Sequence, residues 1–373
     1  MQIPFRLGNT LDIRRSAGML LALGFSTVVL VSTPFLIPEV ANDYDVGLAV
    51  ASLIGMCQLG GFAIASWAAG RFLQASRRVL VSALVLAIVV NALSALLPPI
   101  PLLLGLRFGS GLAIGTITWF AWANAFGQKN TMARVAVVGP VIAVGATPTV
   151  AIVINAFGMD GLFVLVALVP LIPLMFARGG PLCVMQLPKS RHGAVIQARI
   201  VLLALTMFSL GGSAVIQFGV TIAARELGLT ASAVAIGYTA NAIVSIPAAG
   251  WTGRRTIPSP WMALAALCAF FVATAFTSVL FFIAVTAWGF FYWMAIPGVF
   301  EVLAQASVYP EERAGDAQAM MAIGRVAGPL IGGLLLDNSG TMALGLVSSG
   351  LMLGAAAAVF TIREITPDSR VES

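Results

Sequence analysis

Residues 105–115 read GLRFGSGLAIG. The segment is apolar and rich in glycine, and leucine and isoleucine extend it on both sides to form a run over 101–126. At about 1.5 Å of rise per residue, a helix over that run is long enough for a hydrocarbon core of about 30 Å. Its one charged residue is Arg107. A guanidinium does not lose its charge in proteins, and a charge facing lipid is costly. The run therefore reads as a membrane-spanning helix whose arginine faces protein, a partner or water.

The rest of the chain extends that reading. Of 373 residues, 60% are hydrophobic and 9% are charged, with a mean hydropathy of +1.00. A soluble domain carries about 25% charged residues. Apolar runs of spanning length fall at 17–37, 47–70, 79–97, 101–126, 135–157, 161–177, 200–223, 232–250, 259–276, 279–305, 317–336 and 342–362. The stretch 261–300 has no charge at all. As a single helix it would be about twice the thickness of the core, so a reversal is expected at Thr277-Ser278. The expected fold is an all-α integral membrane protein with twelve transmembrane helices.

Charge placement tests this count. With the N-terminus inside, Lys and Arg fall in inner segments at 6–15, 71–78, 129–134, 178–199, 254–255, 313 and 363–370. The outer segments hold Arg225 together with Glu39, Asp43, Asp45, Asp160, Glu226 and Asp337. Positive charge is retained on the cytoplasmic side during insertion, so both termini are expected in the cytoplasm. The basic isoelectric point of about 9.8 then follows from topology and excludes a nucleic-acid surface. Contact with anionic lipid headgroups is the remaining role for these cations. The run at 17–37 behind Arg14-Arg15 lacks a small-residue cleavage site and reads as a retained first span. Cys57, Cys183 and Cys268 are far apart and form no CxxC pair, and His192 is the lone histidine. No disulfide framework, metal site or cofactor site is expected.

The longest inner loop, 178–199, divides the spans six and six: a bundle at 1–177 and a bundle at 200–373. The halves echo each other. VVGPVIAVG at 137–145 answers VAGPLIGG at 326–333, and AAGR at 68–71 answers AAGWTGRR at 248–255. Two six-helix repeats of the same orientation imply a pseudo-two-fold axis along the membrane normal, with a central cavity between them.

These motifs resemble the major facilitator superfamily over essentially the whole chain. Arg107 with Gly111 and Gly115 resembles the family's arginine-glycine motif of span four. Gly139-Pro140 and Gly145 partly match the glycine-proline motif of its exporters. Gly324, Gly328, Pro329, Gly332 and Gly333 give the same pattern in span eleven. YPEERAGDA at 309–317 resembles its proline-glutamate-arginine loop, and FLIPEVANDYDV at 35–46 resembles the end of span one in its drug exporters. The loop after span two departs from the family pattern, with Gly70 where an aspartate is usual, and no aspartate stands before Arg254 after span eight. Both positions therefore lack the acid of the usual charge latch at the cytoplasmic face. The resemblance implies a monomer in a bacterial inner membrane, working by alternating access. Gly139, Pro140, Gly328 and Pro329 read either as plain packing positions or as hinges where one half rocks on the other.

Charged residues inside the spans need an interior environment. Arg107 reads as a carbonyl-binding anchor between helices, or as a gate or coupling residue. Arg325 lies near the middle of span eleven. Glu301 lies toward the inner end of span ten, where it snorkels to the interface, pairs with Arg325 or carries a coupling proton. It is the interior's one candidate proton carrier, because arginine does not titrate. Ser209, Ser213, Gln217 and Thr221 form a polar stripe every four residues along span seven. Tyr238, Asn241 and Ser245 do the same on span eight, Thr118 and Trp122 on span four, and Trp288 and Tyr292 on span ten. The candidate cavity residues are Arg107, Trp122, Gln217, Asn241, Trp288, Tyr292 and Arg325.

The functional expectation is a secondary transporter of a small organic solute. Gly139-Pro140 and the end of span one lean toward an exporter of largely apolar molecules, with protons as the coupling ion. That exporter is the leading expectation; the alternative, toward which one interior acid against two bases leans, is an uptake or exchange carrier for a small organic anion that uses the intramembrane arginines. A membrane enzyme would need a cluster of His with Asp, Glu or Cys, and a nucleotide-driven pump a phosphate-binding loop; the sequence has neither.

Overall fold

The computed structural model describes residues 9–73, 75–125, 129–177, 193–250, 257–307 and 310–365. Every element among them is a helix. The first part of the chain holds α1 (Asn9–Asp43), α2 (Leu48–Ala51), α3 (Leu53–Phe72), α4 (Arg77–Ser94), α5 (Ile100–Ala125), α6 (Lys129–Leu168) and α7 (Leu171–Phe176). The second part holds α8 (Ile196–Ile216), α9 (Gly219–Leu227), α10 (Ala231–Gly250), α11 (Pro258–Thr274), α12 (Ser278–Gln305) and α13 (Pro310–Ile365). Most of the expected 178–199 loop, with Cys183 and His192, lies outside the described residues.

Nine helical stretches among the described residues are long and apolar enough to cross a membrane, and α11 is a shorter apolar helix. This is a multi-pass membrane protein. Two of the nine are too long for one crossing: 40 residues over Val137–Phe176 and 47 over Asp316–Ile362. At about 1.5 Å per residue each would measure about twice the hydrocarbon thickness. Each contains one glycine whose backbone leaves the helix, Gly158 (φ 70°, ψ −166°) in α6 and Gly340 (φ 78°, ψ −176°) in α13. A side chain is strained in that region and glycine is not. Both breaks fall between apolar runs read from the sequence.

The reversal expected at Thr277-Ser278 is present. α11 ends at Thr274, and the Thr277 hydroxyl accepts from the Leu280 amide at 3.2 Å to cap α12. Ser76 caps α4 in the same way through Val79. Span seven differs from the single helix expected over 200–223. α8 stops at Ile216 and α9 starts at Gly219. Phe218 (φ −102°, ψ 2°) departs from helical geometry between them, so the polar stripe of Ser209, Ser213, Gln217 and Thr221 is interrupted at its third member.

Close packing between helices rests on glycine. α3 packs on α5, and α8 packs on α13. A Cβ at Gly111 would lie 2.8 Å from the Gln58 carbonyl carbon, and one at Gly115 would lie 2.8 Å from Phe62 Cα. On α13, a Cβ at Gly324 would lie 2.8 Å from the Leu210 amide, and one at Gly328 would lie 2.7 Å from Ser213 Cβ. These backbones approach too closely for any side chain, as small residues permit in membranes. The two parts of the chain meet where α6 packs on α10 and where α2 and α3 pack on α13.

Candidate functional site

Arg107 sits in a seam. Its side chain is 2% exposed, between α4, α5 and α6. Nη2 donates to Asn91 Oδ1 at 2.8 Å and to Ser94 Oγ at 2.7 Å, both on α4. The guanidinium carbon lies 4.6 Å from the centre of the Phe163 ring on α6, within cation–π range. Asn91 Nδ2 donates in turn to the Ala87 carbonyl, and Ser94 Oγ to the Val90 carbonyl. Those bonds leave Asn91 Oδ1 and a hydroxyl lone pair aimed at the arginine. Nη2 is thus satisfied by neutral oxygens, while Nε has no partner in the structure.

A second cluster forms in the other half. Arg325 on α13 donates through Nη2 to the Tyr292 hydroxyl on α12 at 2.9 Å. Tyr292 stacks on Trp288, one turn earlier in α12, with ring centres 4.8 Å apart and planes at 25°. Its other stacking partner is Phe208 of α8, at 5.7 Å and 14°. Ser213 Oγ donates to the Arg325 carbonyl at 3.2 Å. Trp288 also bounds Gly212, where a Cβ would lie 3.3 Å from the indole. Three of the expected cavity residues, Trp288, Tyr292 and Arg325, therefore form one group. Phe208 was not singled out by the sequence. It precedes Ser209 on α8, and its only sequence signal is that it is aromatic next to a polar stripe.

Arg325 is partly exposed within this cluster. Among the described residues no ion pair joins it to Glu301, which is exposed on α12. The Tyr292 bond explains the separation. It fixes the Arg325 head near residue 292, whereas Glu301 lies nine residues farther along α12, about 13 Å at helical rise. A planar cation beside stacked rings, with no acid paired to it among the described residues, is suited to a carboxylate on an aromatic or apolar body.

The other expected site residues lie elsewhere. Asn241 bridges helices: Nδ2 donates to the Val285 carbonyl of α12 at 2.6 Å, and its own carbonyl accepts from Ser245 Oγ at 2.7 Å. Gln217 lies at the α8–α9 break, and its Oε1 is buried without a partner. The break frees the Ile216 carbonyl, which accepts from the Tyr238 hydroxyl at 2.6 Å. The Trp122 side chain lies outside the described residues. Gly139 and Pro140 stand on α6, where a Cβ at Gly139 would lie an ordinary 3.7 Å from Thr27 Oγ1 of α1. Gly328 and Pro329 stand inside α13, and helix continues through both glycine-proline pairs.

No family model matches the sequence, and no curated protein sequence matches it. Solved structures do. The human organic anion transporter MFSD10 (TETRAN) aligns over 96% of this chain and 100% of its own, with a TM-score of 0.68 at 15% identity. A bacterial homologue of the human lysosomal transporter Spinster, in an inward-facing and unoccupied conformation, aligns over 95% of this chain and 98% of its own, with a TM-score of 0.71 at 13% identity. Both are major facilitator superfamily transporters. The chain has their fold. The sequence motifs and the backbone thus point the same way, although sequence identity alone is too low to connect them.

Proposed function

We propose that this protein is a secondary transporter that moves a small organic anion across a bacterial inner membrane by alternating access. The observation that carries the substrate class is the Arg325–Tyr292 pair. A guanidinium partly exposed among stacked rings is bonded to a neutral hydroxyl and to no acid among the described residues. An incoming carboxylate would supply the missing counter-charge. The organic anion transporter among the structural neighbours agrees with this class. The nine long apolar stretches, the shorter α11 and the breaks at Gly158 and Gly340 support twelve crossings in two six-helix halves, 1–177 and 200–373. Segregated charges support cytoplasmic termini, and the motif resemblance implies a monomer.

Export of drug-like molecules against protons is the second reading. It rests on Gly139-Pro140 and the span-one ending, and it needs Glu301 as carrier. Glu301 lies on an exposed face of α12 toward the inner end of that span, where it stays within reach of the interface. Proteoliposomes holding an internal pH dye decide between the two. Labelled aromatic carboxylates, lipophilic cations and neutral drugs are added to wild type, Arg325→Gln and Glu301→Gln. Carboxylate entry that is lost in Arg325→Gln and kept in Glu301→Gln is the expected result. A pH change with cations or neutral drugs, lost in Glu301→Gln, would overturn the anion reading in favour of antiport.

A further inference from the structure

The two parts of the chain are tied together by side chains at one end of the bundle, the end that carries the Gly158 and Gly340 breaks. Asn155 on α6 donates to Ser232 Oγ on α10 at 2.7 Å. The Phe35 ring of α1 lies 6.1 Å from the Tyr238 ring of α10. The most directional tie is Asp337 on α13. Its Oδ2 accepts from the Ala49 amide at 2.8 Å, and its Oδ1 from the Leu48 amide at 3.3 Å.

Both donors belong to the first turn of α2, where backbone amides have no intrahelical acceptor. Such a turn is normally capped by its own N-cap side chain. Here the N-cap is Gly47, and no side chain of its own caps the helix. The cap comes instead from the other half of the molecule, as a carboxylate at the positive end of a helix. The surroundings are cut to admit it. A Cβ at Gly47 would lie 3.1 Å from Asp337 Oδ2, and a Cβ at Gly333, one turn before Asp337, would lie 2.8 Å from Ala49 Cα. α2 leads through Ser52 into α3, so separating α13 from α2 at this end requires both bonds to break.

We propose that Asp337 is the latch of this end: its carboxylate caps α2 across the two halves and holds the end shut while the opposite end is open. The proposal rests on the alternating-access reading above. It also assigns a role to an acid that charge segregation alone would leave as a solvated loop residue.

The test reads the opening directly. Ser52 is fully buried one turn below the latch, and its face of the helix is shared with Gly55, which meets Pro329 of α13. A cysteine is placed there by Ser52→Cys, with Cys57, Cys183 and Cys268 changed to serine. The full chain is held in lipid nanodiscs, and the labelling rate with a hydrophilic maleimide is measured. Asp337→Ala is expected to label about tenfold faster, the population shift that matches loss of a helix cap. Asp337→Asn keeps the volume and one acceptor without the charge. It is expected to label about threefold faster, and it serves if the alanine variant fails to fold. An unchanged rate in the folded variant overturns the latch. Solute movement is measured separately in wild type. Its failure would overturn the transport reading, whereas faster labelling of the variants would still support Asp337 as the seal of this end.

Discussion

Arg107 and Asn91 hold each other inside the first half of the molecule, with Nη2 2.8 Å from Oδ1. The arginine is 2% exposed, so this bond and the one to Ser94 replace water for a charge that cannot be neutralised. Removing Asn91 leaves that buried charge with fewer partners, Ser94 and the Phe163 ring. Asn91→Leu is expected to cost about 1.5–3 kcal/mol, the range for hydrogen bonds to charged groups. Arg107→Met removes the charge and keeps volume, so it should cost less, and the double variant should recover part of the Asn91→Leu loss. Thermal unfolding in detergent, followed by tryptophan fluorescence, gives the order. An Asn91→Leu protein as stable as wild type would show that Arg107 does not depend on this seam.

Glycines of this chain divide by what a methyl group would meet. At Gly111 a Cβ would be pressed onto the α3 backbone, 2.8 Å from the Gln58 carbonyl carbon and 2.9 Å from the Phe62 amide. At Gly105, on the same helix, it would meet nothing within 4 Å. Gly105→Ala is expected to be neutral or to stabilise by up to about 1 kcal/mol, because alanine is the better helix former. Gly111→Ala is expected to destabilise by about 1–3 kcal/mol through overpacking. The two variants are compared by thermal shift in the same detergent. Equal effects would mean that the α3–α5 contact is looser than described.

Much of the fold is legible in the sequence because a bilayer imposes length. The uncharged stretch 261–300 is too long for one span, and the chain turns back with Thr277 as the cap. The site is less legible. Arg107 announces itself as a charge in an apolar run, but its partners Asn91 and Ser94 look like any polar residues of a span. Trp288, Tyr292 and Arg325 share a cluster that helical spacing only half reveals, since the i, i+4 relation joins the first two alone. Phe208 joins them through tertiary packing that no local pattern carries. The break at Gln217-Phe218 is hidden for a physical reason. No proline or charge marks it, and the carbonyl it frees at Ile216 is satisfied from another helix by Tyr238.

Gly158 and Gly340 are expected to be intolerant of side chains for a reason unrelated to packing. A Cβ at Gly340 would meet nothing within 4 Å, yet its φ is 78° with ψ near −176°. Gly340→Ala forces an L-residue into a region that costs about 1–3 kcal/mol. Gly105→Ala, equally open in space but helical, provides the control. A lower unfolding temperature for Gly340→Ala than for Gly105→Ala is the expected result. Equal temperatures would mean that the backbone relaxes to a conformation alanine accepts.

Tyr292 separates the two ways Arg325 can matter. If the arginine acts as a charge partner for a carboxylate, the tyrosine aims it: the hydroxyl accepts Nη2 at 2.9 Å, and the ring is fixed between Trp288 and Phe208. Tyr292→Phe keeps the stack and removes the acceptor. The guanidinium keeps its charge and loses its orientation, so the KM for an aromatic carboxylate should rise about tenfold, the equivalent of about 1.4 kcal/mol. Arg325→Lys keeps the charge and loses the planar fork, and should raise KM at least as much. Arg325→Gln removes the charge and should abolish uptake. Initial rates in proteoliposomes measure all three. Unaltered KM in Tyr292→Phe and Arg325→Lys, with uptake retained in Arg325→Gln, would place the carboxylate elsewhere and leave this cluster as a packing knot between α8, α12 and α13.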